Sequence, residues 1–248
     1  MMAGTYVSSR GSQSNFLSLI GMLGQAKLAV DGKGRLVAPV WPSPSGEPRQ
    51  WVEVEPFVWM DVNGHEKLAA EVKNGEVTRF SEDTFSPFMI FYRAPWYQSS
   101  ALLMPLLGFA FVILLLTTLL WPVRALVRRH FGRNLVLEGN AKRAHLLSRL
   151  AAVASLVVLA GWLGGVTMML SNLENLSTST DIFIRILQVL GWLAFVGGFL
   201  VLTWNVWVTW SGGRRWPAKV WSIALLLAAA IAVWVAIAFD LLSFGVNY

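Results

Sequence analysis

The chain contains no cysteine, which excludes a disulfide framework, thiolate catalysis and cysteine-ligated metal centres. Charge is scarce as well. Only 14% of the 248 residues are Asp, Glu, Lys or Arg, where about 25% is usual for a soluble domain. Histidine is nearly absent, and His65, His130 and His145 are spaced too widely for any usual single metal site. No serine is followed three positions later by lysine, and no G-x-S-x-G elbow exists. Walker and G-x-G-x-x-G phosphate loops are missing too. No catalytic, cofactor-binding or metal-binding residue is therefore assigned, no cofactor is expected, and the chain is not expected to be an enzyme by itself.

What charge there is has one sign: the formal net charge is +6 and the pI is close to 10.0. Nucleic acid is not the expected partner, because the basic residues gather at the ends of apolar runs and no nucleic-acid-binding motif accompanies them. Hydrophobic residues make up 55% of the chain, and most of them fall into four runs. Ala101 to Trp121 is apolar without a charge and covers about 31 Å as a helix, the thickness of a hydrocarbon core. The others run from about Leu150 to Leu170, Ile186 to Val208 and Val220 to Leu242. All four are expected to span a lipid bilayer.

The connections orient them. Between the first and second runs lie Arg124, Arg128, Arg129, Arg133, Lys142, Arg143 and Arg149 against the single acid Glu138. Arg214, Arg215 and Lys219 separate the third and fourth, whereas the second connection carries Glu174 and Asp181. The positive-inside rule turns the first and third connections to the cytoplasm and leaves both termini outside. The 13 tryptophans suit such a protein, and Trp96, Trp121, Trp207, Trp210, Trp216 and Trp221 are read as interfacial anchors rather than a ligand cage. Arg185 and Asp240 lie just inside the outer ends of the third and fourth runs and are expected to approach each other. Asn205 is read as interhelical glue, and His130 and His145 as solvated or at the headgroups. Gly161 and Gly165 have the spacing that lets helices pack closely.

The first 95 residues read differently. Candidate strands are Thr5–Ser8, Lys27–Val30, Arg35–Val40, Trp51–Asp61, Glu66–Lys73, Glu76–Phe80 and Pro87–Tyr92. Turn signals separate them at Asp31–Gly34, before Gly64 and at Asn74–Gly75. A short helix is expected within SNFLSLIGMLG, capped by Ser14, with Phe16, Leu17, Ile20 and Leu23 as its apolar stripe. Glu53, Glu55 and Asp61 have the parity of one solvated strand face until Pro56 interrupts it. The expected fold is thus an α+β membrane protein: an antiparallel β domain over 1–95, a half or full barrel with a packed interior, and a four-helix transmembrane domain over 96–248.

Three segments, GTYVSSR…SNFLSLIGMLGQ, WVEVEPFVW and SPFMIFYRAPW, make the chain resemble the C-terminal region of bacterial membrane-bound serine hydrolases of the β-lactamase and penicillin-binding-protein superfamily. In that family a catalytic domain precedes a lipocalin-like β domain and a bundle of membrane helices. The resemblance covers Gly4 to Tyr248 and includes none of the family's catalytic residues. It implies a non-catalytic accessory or anchoring module of the inner (plasma) membrane, working with a serine hydrolase domain or subunit. The opening MMAGTYVSSRGSQSN has no apolar h-region, so the chain is expected to be a split or truncated product, or a separate subunit. The alternative is a membrane sensor or transport component whose outer β domain binds a small ligand.

Overall fold

The computed structural model describes residues 1–12, 14–43, 46–85, 88–133, 137–172, 174 and 177–245, except for the side chains of Val40 and Ser179. Two compact units emerge: Met1–Gln13 with Leu17–Leu103, and Ser14–Phe16 with Met104–Tyr248. Together they make an α+β chain, a closed antiparallel barrel followed by four long apolar helices able to span a membrane.

The barrel is a meander of eight strands: β1 (Gly4–Ser8), β2 (Ala26–Val30), β3 (Leu36–Pro42), β4 (Pro48–Glu55), β5 (Val58–Asp61), β6 (Lys67–Lys73), β7 (Glu76–Glu82) and β8 (Phe91–Arg93). Each pairs with its neighbour, and β1 closes on β8 through Tyr6–Arg93, Val7–Tyr92 and Ser8–Phe91. Closure removes every free sheet edge. The hairpins form where the turn chemistry requires them. Asn74 and Gly75 take the left-handed backbone (φ 54° and 80°) that a tight β6–β7 turn needs. Asp31 accepts hydrogen bonds from the Lys33 and Arg35 amides at 2.8 and 2.9 Å and pairs with the Arg35 guanidinium at 2.8 Å, closing the β2–β3 turn.

The expected strand Trp51–Asp61 is two strands. Pro56 has no N–H to give to a ladder, and Phe57 turns the chain at φ 65° while its amide donates to Glu53 Oε1 at 3.0 Å. In consequence Glu53 and Glu55 stay exposed on β4, but Asp61 sits on β5 beside Trp51 and is buried, so the three acids do not share a solvated face. The last strand begins at Phe91; Pro87, where it was expected to start, lies outside the described residues. The short helix α1 also starts late, at Ser18–Leu23. Leu17 occupies its cap position with no side-chain hydrogen bond, Phe16 precedes it, and its buried residue is Met22, not Leu23.

Aromatic rings fill the interior. Tyr6 meets Phe80 edge-on at 4.8 Å, Phe80 stacks on Phe91 at 5.0 Å, and Trp41 lies within 6.2 Å of Trp51 and 5.0 Å of Phe91. Leu28, Leu36, Leu68 and Val77 pack around them. Val77 and Phe80 have opposite parity yet are both buried, because the ladder slips between Glu71 and Val72. An eight-stranded barrel is just wide enough for side chains to fill.

The second unit contains α2 (Ser100–His130), α3 (Gly139–Ser171), α4 (Thr178–Gly191), α5 (Gly198–Ser211) and α6 (Trp216–Ala238). A π-helical turn, Trp192–Gly197, joins α4 to α5 into one continuous span. Two helices outrun their apolar segments: α2 continues through Pro122 to His130, and α3 begins eleven residues before Leu150, so Arg124, Arg128, Lys142 and Arg143 stand on helices rather than in a loop. The helices share a core of Ala110, Leu114, Ala152, Leu202, Leu225 and Ala228. Gly161 and Gly165 turn to α4: a Cβ on Gly161 would lie 2.6 Å from Leu187 Cδ2, and one on Gly165 3.0 Å from Phe183. The wider turn of the π segment leaves carbonyls out of the regular pattern, and the buried Ser155 hydroxyl of α3 donates to one of them, Ala194 O, at 3.2 Å. No ion pair joins Arg185 to Asp240: α6 stops at Ala238, and Asp240 lies in the following turn at φ 52°.

Leu68→Ala should destabilise the barrel by about 2–5 kcal/mol, while Val54→Ala on its exposed side should cost less than about 0.5 kcal/mol. Hydrogen exchange of the β6–β7 amides in the full-length protein in detergent reads both. Gly161→Val should lower the melting temperature through overpacking worth about 1–3 kcal/mol. Gly164→Val, three residues on with nothing within 4 Å, should leave it unchanged.

Candidate functional site: a cationic cavity at the helix ends

Two places bring polar or charged groups together around a cavity. The first lies in the barrel. Glu82, on the same side of β7 as Phe80, is 2% exposed and accepts hydrogen bonds from Thr84 Oγ1 at 2.7 Å and from the Thr84 amide at 3.1 Å. Arg49 Nη1 stands 3.3 Å away, while Arg49 Nε is buried without a partner among the described residues. Burial pushes the Glu82 carboxyl above its usual range, and the Thr84 hydrogen bonds and the Arg49 charge offset only part of that. A 200 Å³ cavity edged by Trp41, Pro42 and Phe85 adjoins the pair. Glu71 shows the opposite behaviour on the surface: hydrogen bonds from Lys73 and Arg79 hold its carboxyl below the usual range.

The second is a cavity of about 450 Å³ within the helical unit, a size typical of small-molecule sites. Each helix end contributes for a reason visible in the chain. The overrun of α2 past Pro122 brings Arg124, and the early start of α3 brings His145 and Arg149. The Gly212–Gly213 turn after α5, with Gly213 at φ 61°, brings Arg214 and Arg215. The floor is polar: Asn205 and Thr209 of α5 and Ser222 of α6. One wall is apolar, from Pro217, Ala218, Trp221 and Leu225. Arg128 reaches a smaller adjoining cavity that shares Arg124, His145 and Arg149.

The electrostatics are one-sided. The lining has four arginines and no acid. Among the described residues every ion pair belongs to the barrel, so these guanidiniums have no carboxylate partner. Arg149 is steered by Ser148 Oγ at 2.7 Å and the His145 carbonyl at 3.4 Å. His145 Nδ1 is buried with no hydrogen-bond partner among the described residues. Asn205 is 3% exposed, and its side chain makes no hydrogen bond among them.

Several readings from the sequence change here. Asn205 lines the cavity and does not bridge helices. His130 is exposed as expected, but His145 is half-buried among arginines. Trp207 and Trp216 are 69% and 68% exposed. Trp221 turns inward, its Nε1 donating to Thr117 Oγ1 at 3.0 Å while its ring walls the cavity. Sequence reasoning passed over Glu82, on a strand of otherwise ordinary alternation, and Gln188, whose fully buried amide has no partner among the described residues inside an apolar span. No group of three or more His, Cys, Asp or Glu able to hold a metal occurs among the described residues. Comparison with family models, with curated proteins and with solved structures finds no match for the chain.

The Glu82 environment has a defined pH signature. A carboxyl whose folded pKa is raised favours the fold below its unfolded pKa, near 4.3, and loses that contribution as pH rises through the folded value. Glu82→Gln removes this ionisation. The stability of Glu82→Gln relative to the unsubstituted chain should therefore increase from pH 4 to pH 7. Hydrogen exchange of β4 and β7 peptides across that range measures the difference, and a flat difference would contradict it.

Proposed function

We propose that the chain is a non-catalytic integral membrane accessory module, working beside a serine hydrolase of the β-lactamase type carried by a separate domain or subunit. The observation that carries this reading is an apolar ribbon on the solvent side of the barrel. Val52 and Met60 face each other across β4 and β5, and both are exposed, as are Val54, Phe57 and Val62. Contiguous exposed apolar residues on a barrel whose interior is already filled mark a contact surface. The serine hydrolase resemblance supplies the class of partner, and the order of barrel then four apolar helices agrees with it.

In this reading the module sits in the inner (plasma) membrane with its basic helix ends toward the cytoplasm and the barrel on the opposite side. The helices anchor, and the barrel positions or caps the hydrolase. The sensor or transport alternative is weakened by the aromatic filling of the barrel and by the apolar core at mid-span, where Leu114, Ala152, Leu202 and Ala228 meet.

Two measurements test the reading. Single cysteines at Asn63 and Ser211, both exposed in a cysteine-free chain, should react differently with a membrane-impermeant thiol reagent on whole cells. Asn63→Cys should label and Ser211→Cys should not; the reverse would overturn the orientation. A photocrosslinking residue at Met60, compared with Lys33 on the β2–β3 turn, should trap a polypeptide with an S-x-x-K motif. Adducts to lipid alone, or none, would remove the hydrolase partner.

A further inference from the structure

We propose that the cationic cavity at the helix ends binds a phosphate group, borne by an anionic lipid headgroup or by a free phosphorylated solute. The reasoning starts from unpaired charge. Guanidiniums held close together without counter-ions repel one another and stabilise whatever anion enters. Arg124, Arg149 and Arg214 come from three separate parts of the chain and converge on one space with no acid in its lining. A solvated surface patch would carry its side chains outward. Arg149 is instead half-buried and oriented by the Ser148 hydroxyl.

The floor points the same way. Asn205 is 97% buried, lines the cavity and makes no side-chain hydrogen bond among the described residues, so its amide is open to whatever enters. His145 Nδ1, at the same place, is buried without a hydrogen-bond partner among the described residues. Pro217 and Ala218 bring the first turn of α6 to the cavity, and with it the positive end of the dipole of a 23-residue helix. Several guanidinium forks and a side-chain amide together match the several oxygens of a phosphate better than a single carboxylate. The apolar wall of Trp221 and Leu225 accommodates the carbon part of the molecule that carries it.

The test uses the full-length protein, purified in neutral detergent and stripped of lipid, with phosphatidylglycerol and inorganic phosphate titrated in separate arms and binding read by native mass spectrometry. Binding should weaken at least about tenfold in Arg214→Gln and in Asn205→Leu, the loss expected for one charge-assisted or buried hydrogen bond. Arg129→Gln, an exposed arginine on α2 outside the cavity lining, should bind as the unsubstituted chain does. Arginine-dependent binding of phosphatidylglycerol identifies a lipid site, and arginine-dependent binding of inorganic phosphate identifies a solute site; either supports the proposal. Failure of both probes to bind, or equal binding by all variants, overturns it. Should Asn205→Leu not fold, as judged by circular dichroism, Arg124→Gln at an exposed position serves in its place.

Discussion

Polar groups removed from water have to be paired inside the chain, and both units are built around that demand. In the barrel the pairing runs between strands, so the sheet must close: β1 bonds to β8 and no edge is left. In the helical unit each long segment pairs its own backbone, which a helix allows along its whole length. The places where that regularity breaks are mended by side chains. Ser155 serves the π turn, Trp192 Nε1 donates to the Leu242 carbonyl at 3.1 Å beyond α6, and Trp221 ties α6 to α2 through Thr117.

Against that background the unpaired groups carry meaning. Glu82 and Arg49 face each other in the barrel and are largely satisfied, with burial still dominating the carboxyl. Among the described residues, no acid pairs with the arginines around the helix-end cavity. A cluster of this kind is unfavourable in isolation, so its presence in an otherwise well-packed unit points away from a purely structural role. It also gives the positive-inside pattern a second meaning. The basic residues at these helix ends are gathered by helix overrun and a glycine turn into one cavity.

Much of this was legible along the chain. The four apolar runs, the Asn74–Gly75 and Asp31–Gly34 turns, and the division into a β-rich part and a helical part all follow from local pattern, because turn chemistry and span length are properties of consecutive residues. Errors arose where a residue's partner is distant. Pro56 reads as an interruption of one strand face, but that it and Phe57 turn the chain into a new strand depends on pairing with β4 and β6. Ser14 looked like a cap, yet the helix starts four residues later.

Taken alone, the amino-acid order determined the membrane-capable helices, the hairpin turns and the sign of charge at each helix end, since each is set by short-range periodicity and backbone preference. Tertiary structure alone decided which polar residues are left facing one another. Whether Asn205 bridges two helices or lines a cavity, and whether Arg185 meets Asp240, depends on the rotation and termination of whole helices, and those are set by packing between segments far apart in the chain.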